Sequence, residues 1–411
     1  MFKETMSETV LLSHEDRLDR ARSIADDLPQ SAYSVHYQPT YEDQTALLQA
    51  MANNMSIGGI TTSAQAWAFR KSLESVSDQD DPTILILSGS CREPIVPDEQ
   101  VENLASNAVK EINIVASSRV RYYIYAQRNR GQNIKPRSSS EDVDEAGNIV
   151  PPYMGDSVNS KDLADRQPDP KKMERAAVQA HKLEEAMTRR IGFHVPSAHE
   201  ALHLAYELPF VVSDPLHSGE ISLSADALWA GRRTNRLENN PILDLLSRLN
   251  NTVGVKIAAN STEEHIAGLV ERLDPDHLPG KLIYMLRLSL SEADQYPSIL
   301  KAIKEHAPGS IVMFDIHGMT EKRVEEKKIV KLRSVPRVLE NMGLMALACK
   351  EAGVKFGGIH LETTVDPYRL ECTDEFHTHP LHEGDLDPCT NPLQTVRILN
   401  GLADIVEEKY M

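Results

Sequence analysis

TVGVKIA (residues 252–258), LIYMLRL (282–288) and SIVMFDI (310–316) are three apolar runs that follow one another along the chain. They recur about every 30 residues, which is the length of one repeated strand–helix unit. Amphipathic segments at 261–273 and 292–306 separate them. Because near-continuous apolar strands are buried on both faces, the pattern predicts a parallel sheet covered by helices. A closed barrel and an open doubly wound sheet both fit these runs.

Further apolar runs extend the pattern in both directions. TILIL (83–87), ISLSADALW (221–229) and FGGIHL (356–361) are each predicted to form a strand. Residues 1–75 contain helical patterns without a strand, and residues 138–159 are polar and predict a long surface loop. The predicted organisation is a helical N-terminal extension over 1–75, followed by a catalytic barrel domain over 76–411.

Composition excludes several classes of function. The chain has 411 residues and a net charge of −17, which argues against binding to nucleic acid or to an anionic membrane surface. No apolar run has the length of a membrane span or of a signal peptide core. The four cysteines lie far apart and form no disulfide framework, so we expect reduced thiols and a cytoplasmic protein.

Charged or metal-ligand residues recur where the predicted strands end. They are Cys91, Arg233, Lys256, Arg287, His317 and Glu362. In a βα barrel the carboxyl ends of all strands meet on one face, where active sites are built. An open sheet would concentrate such residues at its switch point instead. The distribution therefore favours a (β/α)₈ barrel.

One group of these residues has the chemistry of metal ligands. It consists of Cys91, His317 and Glu362, with Asp387 further along the chain. A thiolate, an imidazole and two carboxylates suit a divalent ion of borderline softness, such as Mn²⁺, Co²⁺ or Zn²⁺. By residue type alone, a buried small cysteine and hydrogen-bonded polar residues are the commoner explanation.

A second group is cationic and comprises Arg128, Lys135, Arg137, Arg233, Lys256 and Arg287. Lys256 and Arg287 interrupt apolar runs, where a cation is costly unless it is paired or bound to an anion. Guanidinium and ammonium groups together form the usual cradle for phosphate and carboxylate. Structural ion pairs with the abundant acidic residues are the alternative.

Taken in order, these segments resemble the type II 3-deoxy-D-arabino-heptulosonate 7-phosphate (DAHP) synthases, the first enzymes of the shikimate pathway. The similar strings extend over about residues 80 to 405, and about ten of them occur in the family order. They include SCRE (90–93), RNRGQNIKPRS (128–138), PYMGD (152–156), SAHE (197–200), LWAGRRTNRL (228–237), NTVGVKI (251–257), FDIHGMT (314–320), GGIHLETT (357–364) and LDPCTNPLQTV (386–396).

The resemblance implies a (β/α)₈ barrel, a metal-dependent transferase and a set of site residues. The metal ligands would be Cys91, His317, Glu362 and Asp387. Phosphoenolpyruvate would be held by Arg128, Arg233, Lys256 and Arg287, and the phosphate of the aldehyde by Arg137 and Ser138. Lys135 would be a candidate proton donor, with metal-bound water as the alternative, and Cys91 and His317 would also be catalytic. The resemblance also implies a homo-oligomer, either a dimer or a tetramer.

Several positions depart from the family strings. Ser90 replaces an Asp, Met154 replaces an Arg, and Arg232 and Asn235 replace a Glu and an Arg. These changes lie around the substrates rather than at the ligands. Three interpretations follow: an ordinary synthase that uses erythrose 4-phosphate, a secondary-metabolism paralogue with another aldehyde, and a non-catalytic regulatory relative that binds a metabolite.

Overall fold

The computed structural model describes residues 12–28, 38–90, 94–128, 134, 141–143, 146–325, 328–377 and 387–410. The chain divides into two compact units. The first contains Met1–Ala68, Glu93–Ala105 and Asn129–Asn251, and the second contains Phe69–Arg92, Ser106–Arg128 and Thr252–Met411. The division predicted between residues 75 and 76 stays a prediction.

Eight strands close into a parallel barrel in which the spatial order follows the chain. They are β1 (Ile84–Ser88), β2 (Tyr123–Arg128), β3 (Ser197–Glu200), β4 (Ala227–Ala230), β5 (Thr252–Ile257), β6 (Leu282–Leu286), β7 (Ile311–Asp315) and β8 (Gly358–His360). The predicted (β/α)₈ architecture is therefore confirmed, and the open sheet is excluded.

The strands of the second unit pair in parallel. Ile86 of β1 lies opposite Tyr125 of β2 and Ile359 of β8. Similar pairing joins β5 to β6, β6 to β7 and β7 to β8. Because these strands run in the same direction, the residues that end them lie along the same edge of the sheet.

Helices precede the barrel strands, connect them and follow them. They are α1 (His14–Asp27), α2 (Gln44–Ile57), α3 (Ser63–Ser72), α4 (Glu74–Ser77), α5 (Val101–Ala116), α6 (Pro170–Ile191), α7 (Leu204–Glu207), α8 (Pro241–Arg248), α9 (Glu263–Leu273), α10 (Tyr296–His306), α11 (Val335–Ala352) and α12 (Pro392–Tyr410). Three short antiparallel hairpins pair Asp142–Val143 with Ile149–Val150, Val211–Ser213 with Glu220–Ser222, and Glu321–Glu325 with Lys328–Leu332.

The first unit packs α1, α2 and α6 around a shared apolar core. Met51 and Met55 of α2 and Met173 of α6 are buried in it, together with small alanines that let the helices approach closely. The ends of α6 show why the sequence forms this helix. Asp169 caps its first turn, proline occupies an early position, and Gly192 ends the helix in the left-handed conformation.

The second unit buries five of its six barrel strands completely. Every residue of β1, β5, β6, β7 and β8 is buried, as their near-continuous apolar sequences predict. The helices α9, α10 and α11 follow β5, β6 and β7 in turn, so the repeated strand–helix unit read from the sequence is confirmed.

One strand prediction was wrong in its bounds. Residues 221–229 do not form one strand, because the chain forms Glu220–Ser222 and then Ala227–Ala230. Polar side chains break the run between them. The Asn251 amide donates to the carbonyls of Ser222 and Ala225, and the Asp226 carboxylate accepts from the backbone N–H of Ser197.

No helix within the described residues is long and apolar enough to cross a membrane.

Gly358 lets β8 approach β1 closely. Its φ of +152° lies in a region that side chains rarely adopt, and an added Cβ would lie 2.0 Å from the carbonyl oxygen of Leu85. Both conditions require glycine at the start of β8. The strand that leads to Glu362 therefore depends on this position.

We expect Gly358→Ala to lower the free energy of unfolding by about 1–3 kcal/mol, because the methyl group strains the backbone and pushes β8 from β1. Gly343→Ala is the matched control. No atom lies within 4 Å of an added Cβ at Gly343, which is inside α11, so this change should be neutral or stabilise by up to about 1 kcal/mol. Urea unfolding followed by circular dichroism measures both. Equal stability of the two variants would contradict the role of Gly358.

Candidate active site

The carboxyl ends of the strands in the second unit carry five of the predicted site residues. Arg128 ends β2, Lys256 is next to last in β5, and Arg287 follows β6 directly. His317 lies in the turn after β7, and Glu362 lies two residues beyond β8. Parallel pairing places these positions at one edge of the sheet, as the sequence predicted.

Three of the four predicted metal ligands meet in the structure. His317, Glu362 and Asp387 each offer a ligand atom, and these atoms lie within 4.8 Å of one another. The Nε2 of His317 is 3.2 Å from Oε2 of Glu362, and both side chains are buried. Cys91, the fourth predicted ligand, lies outside the described residues.

The protonation states of this group suit a divalent cation. Burial raises the pKa of Glu362, but His317, Arg128 and Arg333 lower it by more. The pKa therefore lies well below the ordinary value. Burial and Glu362 raise the pKa of Asp387, whereas His317, Arg333 and Lys331 lower it by more. Both side chains are therefore ionised at neutral pH. Two carboxylates and one imidazole are donors that divalent transition metals accept.

The orientation of His317 also fits metal binding. Its Nδ1 is 2.6 Å from Oδ1 of Asp315, and its Nε2 is 2.9 Å from a guanidinium nitrogen of Arg128. A guanidinium group can only donate, so Nε2 is the acceptor and Nδ1 carries the hydrogen. The lone pair on Nε2 accepts from Arg128, and Nε2 lies 3.2 Å from Oε2 of Glu362. A histidine whose Nδ1–H is held by a carboxylate in this way can offer Nε2 to a cation.

Three of the predicted substrate cations surround the same group. One guanidinium nitrogen of Arg128 is 3.8 Å from Glu362. The ammonium of Lys256 is 3.1 Å from Oδ2 of Asp315, and Arg287 is 3.9 Å from Asp387. The Nε of Arg128 is buried and has no hydrogen-bond partner within the described part of the chain. A buried donor of this kind is costly unless an acceptor arrives with a ligand.

Four other predicted site residues are Arg233, Lys135, Arg137 and Ser138. Arg233 lies in the first unit, shortly after β4, and is exposed. Lys135, Arg137 and Ser138 lie outside the described residues. Of the departures from the family strings, Met154 is buried in an apolar cluster with Ile134, Val158 and Leu202, so packing explains its side chain.

The sequence did not single out Arg333, which is fully buried. It donates to the carbonyl of Pro388, to Oγ1 of Thr320 at 2.7 Å and to Oε2 of Glu362 at 3.3 Å. Burial lowers its pKa, but Glu362 and other acidic groups raise it by more, so it stays charged. Arg333 thus joins Glu362 to residues beside Asp387 and near His317. The run KLRSVP gives no sign of this, because it follows a hairpin rather than an apolar strand.

Asp315 and Lys331 were also missed. Asp315 ends β7 and is fully buried, with Lys256, His317 and His360 around it. Burial raises its pKa, but these three residues lower it to well below the ordinary value. Lys331 lies 3.0 Å from Asp387. A carboxylate at a strand end was a usable signal for Asp315, whereas Lys331 lies in a hairpin that the apolar pattern does not predict.

We expect Arg333→Met to lower the free energy of unfolding by about 3–5 kcal/mol, because it removes one partner of a buried ion pair. Arg397→Ala is the control, since Arg397 forms an exposed ion pair with Glu375 that should contribute no more than about 1 kcal/mol. Urea unfolding measures both. A small loss for Arg333→Met would show that Glu362 does not depend on this guanidinium.

The chain matches a model of the class-II DAHP synthetase family over residues 29–188 and 177–389. It is 25% identical over 433 residues to the phospho-2-dehydro-3-deoxyheptonate aldolase of Streptomyces coelicolor, with 91% of this chain and 94% of that protein covered. It is 27% identical over 385 residues to a probable phospho-2-dehydro-3-deoxyheptonate aldolase of Pseudomonas fluorescens, with 87% and 92% covered.

A solved structure supports the fold. The phospho-2-dehydro-3-deoxyheptonate aldolase of Francisella tularensis SCHU S4 superposes with a TM-score of 0.53 at 17% identity, covering 87% of this chain and 96% of that one. The family match spans more than half of the chain and agrees with the strand-end residues described above. The chain belongs to the class-II DAHP synthetase family and is a transferase of the DAHP synthase type.

Proposed function

We propose that the protein condenses phosphoenolpyruvate with erythrose 4-phosphate in a metal-dependent reaction, giving 3-deoxy-D-arabino-heptulosonate 7-phosphate and phosphate. The observation that carries the proposal is the meeting of cations from β2, β5 and β6 with the donor group His317, Glu362 and Asp387. Family membership and the names of the relatives support the same chemistry.

The cations are suited to phosphoenolpyruvate, which carries a phosphate and a carboxylate. Arg128 has a buried Nε donor to offer, and Arg287 is partly exposed with a long contact of 3.9 Å to the carboxylate of Asp387. Guanidinium groups bind such anions through two parallel hydrogen bonds. Arg233 belongs to the proposed set through the resemblance.

A divalent ion held by His317, Glu362, Asp387 and Cys91 would supply Lewis-acid polarisation of the aldehyde carbonyl. We propose Mn²⁺, Co²⁺ or Zn²⁺ from the mixture of thiolate, imidazole and carboxylate donors. His317 contributes Nε2, because its Nδ1–H is held by Asp315. Arg333 keeps the Glu362 carboxylate in place for this role.

In the proposed reaction, C3 of phosphoenolpyruvate forms a bond to the aldehyde carbon, whose oxygen takes up a proton. Water adds at C2, and phosphate leaves with cleavage of its C–O bond. Lys135 is the proposed proton donor, and Arg137 and Ser138 would hold the aldehyde's phosphate. Arg128, Lys256 and Arg287 fix the position of phosphoenolpyruvate, so orientation supplies much of the rate. Cytoplasmic location and a dimeric or tetrameric assembly stay predictions.

The direct test measures consumption of phosphoenolpyruvate and release of phosphate with Mn²⁺ and a panel of aldehydes. We expect turnover with erythrose 4-phosphate. Turnover with another aldehyde alone would support the secondary-metabolism paralogue. Absence of turnover with every aldehyde would reject the proposed reaction.

Lys256→Met should lower kcat/KM for phosphoenolpyruvate by about 10- to 100-fold, which corresponds to the loss of one hydrogen bond to a charged group. Lys281→Met is the matched control. Lys281 is also buried, but it lies just before β6, at the opposite ends of the strands. Its replacement should leave KM for phosphoenolpyruvate unchanged in the folded protein. Equal effects of the two changes would remove Lys256 from the substrate site.

Removal of metal should abolish turnover, and added Mn²⁺, Co²⁺ or Zn²⁺ should restore it. We expect Glu362→Gln to retain less metal after dialysis than the wild type, because a neutral amide is a weaker ligand. The control is Glu263→Gln, which alters an exposed group of two glutamates and His306. Metal analysis by mass spectrometry compares the proteins. Wild-type metal content in Glu362→Gln would contradict the ligand assignment.

A further inference from the structure

Asp315 lies between the donor group and the substrate cations. It ends β7 and is completely buried. Its Oδ1 accepts from Nδ1 of His317 at 2.6 Å, and its Oδ2 is 3.1 Å from the ammonium of Lys256. One carboxylate therefore contacts a residue proposed to hold the metal and a residue proposed to hold phosphoenolpyruvate.

The contact with His317 determines which ring nitrogen can act as a ligand. Asp315 accepts the hydrogen on Nδ1, and it also accepts from the backbone N–H of His317 at 3.2 Å. These two bonds fix both the tautomer and the ring plane. Nε2 then keeps its lone pair, which accepts from Arg128 at 2.9 Å, and it lies 3.2 Å from Oε2 of Glu362. Without this acceptor, the imidazole could place its hydrogen on Nε2, which cannot then bind a cation.

The contact with Lys256 holds the ammonium group that is proposed to bind phosphoenolpyruvate. The Lys256 side chain is 5% exposed, and in the interior it needs a paired anion to remain charged. Asp315 supplies that anion from the end of β7, which β6 separates from β5 in the barrel. The position of the ammonium is thereby tied to the carboxylate that orients His317.

We propose that Asp315 is a positioning residue that sets His317 Nε2 as the metal-binding atom and holds the Lys256 ammonium where phosphoenolpyruvate binds. In this role Asp315 acts through His317 and Lys256. The part that concerns phosphoenolpyruvate rests on the proposed function, whereas the part that concerns the metal does not.

The test compares the wild type with Asp315→Asn in the full-length protein. Mn²⁺ alone is titrated into metal-free protein, and we expect Asp315→Asn to bind it about 10- to 100-fold more weakly, the usual effect of losing a carboxylate behind a histidine ligand. We also expect the KM for phosphoenolpyruvate to rise more than kcat falls, because Lys256 loses the negative charge of Asp315. A purely structural role would lower thermal stability and leave Mn²⁺ affinity and KM unchanged.

Asp226→Asn is the matched control. Asp226 is another fully buried aspartate paired with a histidine, since both of its oxygens lie 3.0 Å from Nε2 of His194. We expect this variant to lose stability and to keep its Mn²⁺ affinity and KM. Equal losses of Mn²⁺ affinity in both variants would show a general effect of buried charge and would overturn the proposal.

A second measurement covers the case in which Asp315→Asn does not fold. Nitrogen-15 spectra of histidine-labelled wild-type protein without metal should show His317 with its hydrogen on Nδ1. A hydrogen on Nε2 would overturn the proposal, as would unchanged Mn²⁺ affinity in folded Asp315→Asn. Weaker Mn²⁺ binding with an unchanged KM would reject only the role of Lys256. Wild-type protein that binds Mn²⁺ but consumes no phosphoenolpyruvate would reject the proposed function and leave the role towards His317 intact.

Discussion

The burial of two carboxylates at the strand ends is the constraint on which the second unit depends. Asp315 and Glu362 are almost completely removed from water. An isolated carboxylate in such a place costs several kcal/mol, so each needs cations and hydrogen-bond donors around it. Asp315 has Lys256 and the Nδ1–H of His317, and Glu362 has Arg333 and Arg128. The pairing that makes the charges tolerable also assembles the site.

The sequence predicted those residues whose position follows from the barrel itself. Each of these residues lies near the end of an apolar run or just beyond it, and parallel strands bring such positions together. They are Lys256, Arg287, His317 and Glu362. Arg333 could not be found in this way. It belongs to the segment between a hairpin and α11, and its burial is set by tertiary contacts with Pro388 and Thr320 that no local pattern encodes.

Local pattern also failed between residues 221 and 229, where two apolar groups flank Ser224 and Asp226. The alternation of apolar and polar residues predicted one continuous strand. In the structure the buried side chains of Ser224 and Asp226 form hydrogen bonds where the chain leaves one strand and enters the next. The spacing of residues along the sequence could not predict the set of metal ligands. Nothing in the distances along the chain connects Asp387 to His317, and only the resemblance to a family named them together. Their closeness in space agrees with that set.

The substrate cations predicted in the second unit, Arg128, Lys256 and Arg287, are not equivalent, although the resemblance gives all three the same role. Lys256 is buried and lies 3.1 Å from Asp315, so moving it would take the ammonium away from a buried carboxylate. Arg287 is about one-third exposed and its contact with Asp387, at 3.9 Å, is long. Exposed and loosely paired groups exchange partners at small cost, whereas buried pairs do not. In the proposed reaction Lys256 therefore acts as a fixed charge, and Arg287 is the group that can leave its carboxylate to bind an incoming anion.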